Sequence, residues 1–129
     1  MSTIEEGALG ALTGLSLGDA LGMPTQSMSP AAIHEAYGRV DTLRDAIADQ
    51  PIAPGMPAGS VTDDTEQALI VAELIIEGRG HIDPKEFAKR LLAWEDDMKS
   101  RGSLDLLGPS TKLALEQVRQ GADLSLIHI

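Results

Sequence analysis

An all-α protein is predicted by three features of this sequence. Apolar residues recur at helical spacing, as in Phe87, Leu91, Trp94 and Met98. Ser29-Pro30, Asp83-Pro84 and Gly108-Pro109 are pairs suited to helix starts. No stretch alternates apolar and polar residues for long enough to make a strand, and there is no internal repeat or low-complexity tract. With 129 residues the chain has the size of one modest domain, and with 2% aromatic residues its core must be aliphatic.

The first element spans Gly7 to Gly22, with Gly10, Gly14, Gly18 and Gly22 at every fourth position and Leu9, Leu12 and Leu15 beside them. Each glycine lowers helix propensity by about 1 kcal/mol relative to alanine, so four in register need a reason. On a helix they line one face and let another backbone approach closely. A flexible glycine loop is the alternative. A buried helix ending near Asp19 to Gly22 is preferred, because Pro24 forbids its continuation.

Ser29-Pro30 opens a short helix running to about Tyr37, with His34 at the surface or at its cap. Residues 38–60 carry Pro51, Pro54, Pro57, Gly55 and Gly59 and read as a long irregular segment, placed where a lid would be useful. Thr65 to Glu77 is apolar on nearly every face and is expected to be the central buried helix. Its β-branched content permits a strand, but its length and acidic start favour a helix, stopped by Gly78 and Gly80. Asp83-Pro84 caps the next helix, whose Phe87, Leu91, Trp94 and Met98 form a packing stripe, while Glu95, Asp96, Asp97, Lys99 and Arg101 read as a solvated end. A turn at Gly102-Ser103 leads to Gly108-Pro109-Ser110-Thr111 and a last helix facing inward with Leu115 and Val118. That opening reads as a capping turn or as an anion site made of backbone N–H groups and hydroxyls.

The stretch around which these elements are arranged is Val61-Thr62-Asp63-Asp64-Thr65-Glu66, where the irregular segment becomes the apolar helix. Its oxygen-only donors suit a hard cation such as Mg²⁺. Adjacent residues do not share a helix face, but at a loop–helix junction their side chains can converge. A capping function, with Thr62 or Asp63 at the N-cap and an Asp63–Glu66 box, explains the same residues without a ligand.

Composition excludes some classes. Ten basic against twenty acidic residues give a net charge of −10, which disfavours nucleic acid and anionic membranes as partners. Neither a signal peptide nor a membrane span is expected, since Glu5 and Glu6 stand at the start and the longest strictly apolar run is Ala68 to Ala72. The absence of cysteine fits a reducing compartment, and a cytoplasmic location is expected.

Three motifs in order, Gly14-Leu-Ser-Leu-Gly-Asp-Ala-Leu-Gly22, Thr62-Asp-Asp-Thr65 and Gly108-Pro-Ser-Thr111, resemble the ADP-ribosylglycohydrolase family, from residue 7 to about 123. The resemblance implies an all-α, orthogonal multi-helix bundle, with residues 1–123 as the N-terminal part of one domain and 124–129 as a tail outside it. It implies a site of two Mg²⁺ or Mn²⁺ ions and hydrolysis of the bond between C1″ of ADP-ribose and its acceptor. Thr62, Asp63 and Asp64 would be metal ligands, with Asp63, Asp64 and Gln26 as the catalytic set. Asp19, Gly108, Ser110 and Thr111 would lie beside the substrate, the last three at its phosphates.

The sequence departs from the family pattern in two places. Where members often carry Glu, seven residues beyond the Asp of the opening helix, this chain has Gln26, which hydrogen-bonds but cannot act as a carboxylate base. The downstream Asp-x-Asp-Thr/Ser motif is also missing. The chain is therefore expected to be an N-terminal half, inactive alone and prone to self-association through uncovered apolar faces. The alternative function is a non-catalytic helical module that holds a nucleotide or a cation. A purely structural acidic bundle is the third reading.

Overall fold

Five α-helices make up the regular structure: α1 (Thr3–Gly22), α2 (Pro30–Tyr37), α3 (Asp63–Glu77), α4 (Pro84–Ser100) and α5 (Pro109–Arg119), with a 3-10 turn, Met23–Thr25, after α1. The computed structural model describes residues 2–100 and 108–121. The turn expected at Gly102-Ser103, the charge of Arg101 and the tail 124–129 lie outside them. No strand occurs among the described residues, in agreement with the all-α expectation. The chain divides between Glu66 and Gln67 into two compact units, and α3 begins in the first and continues in the second.

In the first unit, α1 opens on a capping box that satisfies two backbone donors at once. Glu5 N–H donates to Ser2 Oγ at 3.2 Å, and Ser2 N–H donates to Glu5 Oε2 at 2.7 Å. The helix runs to Gly22 and so settles the choice between helix and loop, but it is not buried. Ala20 is its one buried residue among those described, and Ile4 is 83% exposed. Among the described residues, a Cβ built on Gly10, Gly14, Gly18 or Gly22 would meet nothing within 4 Å, so none of those residues packs its backbone on the glycine stripe. Helix α2 is as expected: Ser29 Oγ accepts from Ala32 N–H at 3.2 Å, Pro30 takes the first turn, and Gly38 leaves the helix at φ +66°. His34 is exposed.

The segment between α2 and α3 is irregular, as its prolines and glycines require, but it is tied down rather than loose. Ala46 N–H donates to Met56 O at 2.8 Å and Ala58 N–H donates to Asp45 Oδ1 at 2.7 Å. Met23, Ala46 and Ala53 form a small buried cluster, with Met56 packed against it. The Tyr37 hydroxyl accepts from Ile47 N–H at 3.0 Å and faces the carbonyls of Pro24 and Asp45 at 3.2 and 3.3 Å.

The second unit is held by apolar packing. Ala88, Leu91, Trp94, Met98 and Leu115 form its buried cluster, with Ile70, Phe87, Leu92 and Val118 against it. The expected α4 stripe and the inward faces of Leu115 and Val118 are therefore packed as their spacing indicates. Glu95 departs from the expectation of a solvated end. It is buried, with Oε2 accepting from Lys99 Nζ at 2.9 Å and Oε1 lying 3.7 Å from Lys112 Nζ, while Asp96, Asp97 and Lys99 are exposed. A buried carboxylate needs such cationic partners. Arg90 pairs with Glu73 at 3.2 Å, Glu77 at 2.5 Å and Glu86 at 3.4 Å, linking α4 to α3.

Helix α3 ends where Gly78 N–H donates to Leu74 O and Gly80 N–H to Ile75 O, with Gly80 at φ +94°. A Cβ on Gly78 would come within 1.8 Å of the His81 carbonyl oxygen, so no larger residue fits that turn. The expectation that Thr65–Glu77 is the most buried helix is not met. Of its residues only Thr65 and Leu74 are buried, and Ile76 is 77% exposed. An apolar side chain at every angle describes what a helix can bury; it does not supply the neighbours that would cover each face. No helix among the described residues is long and apolar enough to cross a membrane.

Candidate functional site

The site lies within the first unit and begins with Asp19, a single carboxylate in a helix otherwise made of Gly, Ala, Leu, Ser and Thr after its first turn. Its Oδ2 accepts from Thr62 N–H at 2.8 Å, from Thr65 N–H at 3.3 Å and from the Thr65 hydroxyl at 2.5 Å. Its Oδ1 accepts the Thr62 hydroxyl at 2.6 Å. Both threonines are buried. Asp19 thus supplies from another element the acceptor that the free N–H groups at the start of α3 require, and its charge suits the positive end of that helix. Burial pushes its carboxyl up, but the hydrogen bonds from Thr62 and Thr65 outweigh this and hold it below its ordinary value. Thr62 stands just ahead of the helix, and its carbonyl accepts from Glu66 N–H at 3.1 Å.

This clamp forms one side of a cavity of about 410 Å³, lined by Gly14, Gly18 and Gly22 on α1, by Asp19, by Gln26 and by Thr62 and Asp64. The glycine stripe therefore serves as a cavity wall, where the missing side chains leave room. Sequence spacing identified the stripe but assigned it to helix packing.

Of the residues singled out from sequence, the fold gathers Asp19, Gln26, Thr62 and Asp64 around this cavity. Asp63, the first residue of α3, is half-buried and is not among the residues that line it, as expected when successive helical side chains point about 100° apart. Gly108, Ser110 and Thr111 belong to the other unit, where Gly108 is the N-cap of α5 and its carbonyl accepts from Lys112 N–H at 2.9 Å. Gly108 and Ser110 are exposed and Thr111 is half-buried.

The donor set around the cavity consists of oxygens. The Thr62 hydroxyl proton is directed to Asp19, which leaves its lone pairs for another partner. Asp64 is exposed to the cavity. The side-chain oxygen of Gln26 is buried and accepts no hydrogen bond among the described residues. A hydroxyl, a carboxylate and an amide oxygen are donors that fit a hard cation. Among the described residues no group of three or more His, Cys, Asp or Glu side chains is placed to hold a metal ion, so a cation here would depend on the neutral oxygens of Thr62 and Gln26.

Two features escaped the sequence reading. One is the capping of α3 by Asp19, for which the lone carboxylate in a small-residue helix was the available signal. The other is Gln50, buried at 2% exposure, which carries no local signature.

Comparison with known proteins places the cavity in context. The sequence model of the ADP-ribosylglycohydrolase family matches residues 1–126. An uncharacterized protein of Archaeoglobus fulgidus is 38% identical over 119 residues, which is 92% of this chain and 35% of the relative. The uncharacterized protein YegU of Escherichia coli is 33% identical over 116 residues, 90% of this chain and 34% of its own. The ADP-ribosylarginine hydrolase Tri1 of Serratia proteamaculans is 32% identical over 118 residues, 89% of this chain and 29% of its own. The chain thus spans about a third of the length of the curated relatives it matches.

Proposed function

Because the chain belongs to the ADP-ribosylglycohydrolase family, we propose that its first unit forms part of a divalent-cation site for hydrolysis of an ADP-ribosyl group from its acceptor. The observation that carries this reading is the cavity itself. Thr62, Asp64 and Gln26 line it together with a glycine wall, the Thr62 hydroxyl is already oriented by Asp19, and the buried Gln26 oxygen has no hydrogen-bond partner among the described residues.

In this reading Thr62 and Asp64 would hold Mg²⁺ or Mn²⁺, and Asp63, which does not line the cavity, would add its negative charge from the same turn. Asp19 is a positioning residue that keeps the Thr62 lone pairs turned toward the cavity. The glycine wall admits the ribose close to the α1 backbone. Gln26 offers a neutral oxygen to the ion or to a sugar hydroxyl and does not act as a base. When bound, two such ions would polarise the ribose hydroxyls and lower the pKa of a water molecule. The C1″–acceptor bond breaks, the water oxygen joins C1″, and its proton goes to the departing acceptor, by way of an oxocarbenium-like transition state. Gly108, Ser110 and Thr111, in the second unit, keep their own reading as a turn whose backbone N–H groups and hydroxyls suit an anion.

The sequence carries no Asp-x-Asp-Thr, so the chain by itself is proposed to bind and orient rather than turn substrate over. The test is calorimetric titration of the chain with ADP-ribose, with and without Mg²⁺, for the wild type and for Asp63→Ala/Asp64→Ala. Binding that needs Mg²⁺ and is lost in the double variant supports the reading. Binding indifferent to both the ion and the double substitution would reduce the acidic pair to a helix cap.

A further inference from the structure

We infer that Gln50 is a positioning residue for this site, holding the strained turn that carries Gln26 into the cavity wall; the inference rests on the cation reading above. Gln50 is buried and spends its whole amide on backbone. Its Nε2 donates to Gln26 O at 2.8 Å and lies 3.5 Å from Met23 O, and its Oε1 accepts from Ile52 N–H at 2.6 Å and, at closer range, from Ala53 N–H. Donors face acceptors in only one orientation of the amide, so the group is fixed. It joins the irregular segment to the two cavity-lining residues that follow α1, Met23 and Gln26.

What it holds is not at rest. Met28 N–H donates to Thr25 O at 3.1 Å, and Gln26 has φ −55° and ψ 130°, the pattern of a type II turn. The next position of such a turn calls for glycine, yet here it is Ser27 at φ +59°. A side chain in that region favours other conformations, and the hydrogen bond from Gln50 to the Gln26 carbonyl opposes them. Gln26 in turn presents the buried oxygen that has no hydrogen-bond donor among the described residues. Turn strain, a buried staple and an unpartnered acceptor thus converge on one residue of the cavity wall.

The experiment is Mn²⁺ titration of the chain, by calorimetry, for the wild type and four variants. Gln50→Leu should weaken Mn²⁺ by about tenfold, the scale for loss of a group that orients a ligand. Gln50→Glu keeps the acceptor for Ile52 and Ala53 and removes the Nε2 donor to Gln26 and Met23, so it should show the same loss even if Gln50→Leu fails to fold. Adding Ser27→Gly to the Gln50→Glu variant, which relaxes the turn, should recover most of the affinity. Tyr37→Phe loosens the same segment without touching Gln26 and should leave affinity within about twofold. Equal losses in the Gln50 and Tyr37 variants, or no recovery with Ser27→Gly, would show that Gln50 merely packs the segment. A wild type that binds no Mn²⁺ would instead overturn the cation reading, and this inference with it.

Discussion

The two units hold themselves together by different means, and the difference decides what can be read from the sequence. The second unit rests on a side-chain cluster with helical period, Ala88, Leu91, Trp94, Met98 and Leu115. The first has a small cluster of Met23, Ala46 and Ala53, and is otherwise fastened by side chains that reach backbone far along the chain. Asp19 meets Thr62 across 43 positions, and Gln50 meets Gln26 across 24. The candidate site belongs to the unit fastened by polar groups. That pairing has a physical basis: a cavity with room for a ligand cannot also be filled by core side chains, so hydrogen bonds must fix its walls.

Substitutions can break this contrast, beginning with the largest effect. Trp94→Ala should destabilise the second unit by about 3–5 kcal/mol, the range for emptying a buried aromatic position. Thermal or urea unfolding followed by far-ultraviolet circular dichroism would show it.

In the first unit the corresponding test is Asp19→Ala, which removes the cap of α3 and leaves two buried threonine hydroxyls without their acceptor. A loss of about 1–2 kcal/mol is expected, on the scale of cap deletions. The contribution should also depend on pH. The folded carboxyl is held below its ordinary value of 3.8. The stabilisation is therefore fully present above that value and is lost as pH falls through the depressed folded one. Acid unfolding curves of wild type and Asp19→Ala should converge at low pH and separate above about 4. A constant offset at all pH values would mean that the charge of Asp19 does not hold α3.

The smallest effect has the opposite sign. Gly18→Ala adds a methyl group that meets no atom within 4 Å. It should raise stability by roughly 0.5–1 kcal/mol through helix propensity. The same methyl group enters the cavity, so Mg²⁺-dependent ADP-ribose binding should weaken while the melting temperature rises. Tighter binding alongside greater stability would remove the glycine wall from the site.

Much of the fold was legible where local chemistry decides. Ser29-Pro30 and Gly38 mark both ends of α2, and the Phe87 to Met98 spacing locates the buried face of α4. The exposure of Leu69, Ile75 and Ile76 on α3 was not legible, because periodicity reports an apolar surface and not the neighbour that covers it. The site was legible in part. Thr62 and Asp64 stood out as oxygen donors where an irregular segment meets an apolar helix, and Asp19 entered only through the family resemblance. Gln50 did not, because a side chain bonded to distant backbone leaves no periodic trace. Asp63 shows the limit of a motif: neighbours in sequence, it and Asp64 occupy different angles of the first turn of α3.

The central claim, that the first unit's cavity binds a divalent cation, is tested most directly by nuclear magnetic resonance during Mn²⁺ titration. Paramagnetic broadening marks the residues nearest the ion. The amide signals of Gly18, Gln26, Thr62 and Asp64 should disappear first, at substoichiometric Mn²⁺, and those of Gly18, Gln26 and Thr62 should persist in Asp63→Ala/Asp64→Ala. Broadening that begins instead along the acidic end of α4, around Asp96 and Asp97, would show that the ion follows the chain's general negative charge and that the cavity is not its site.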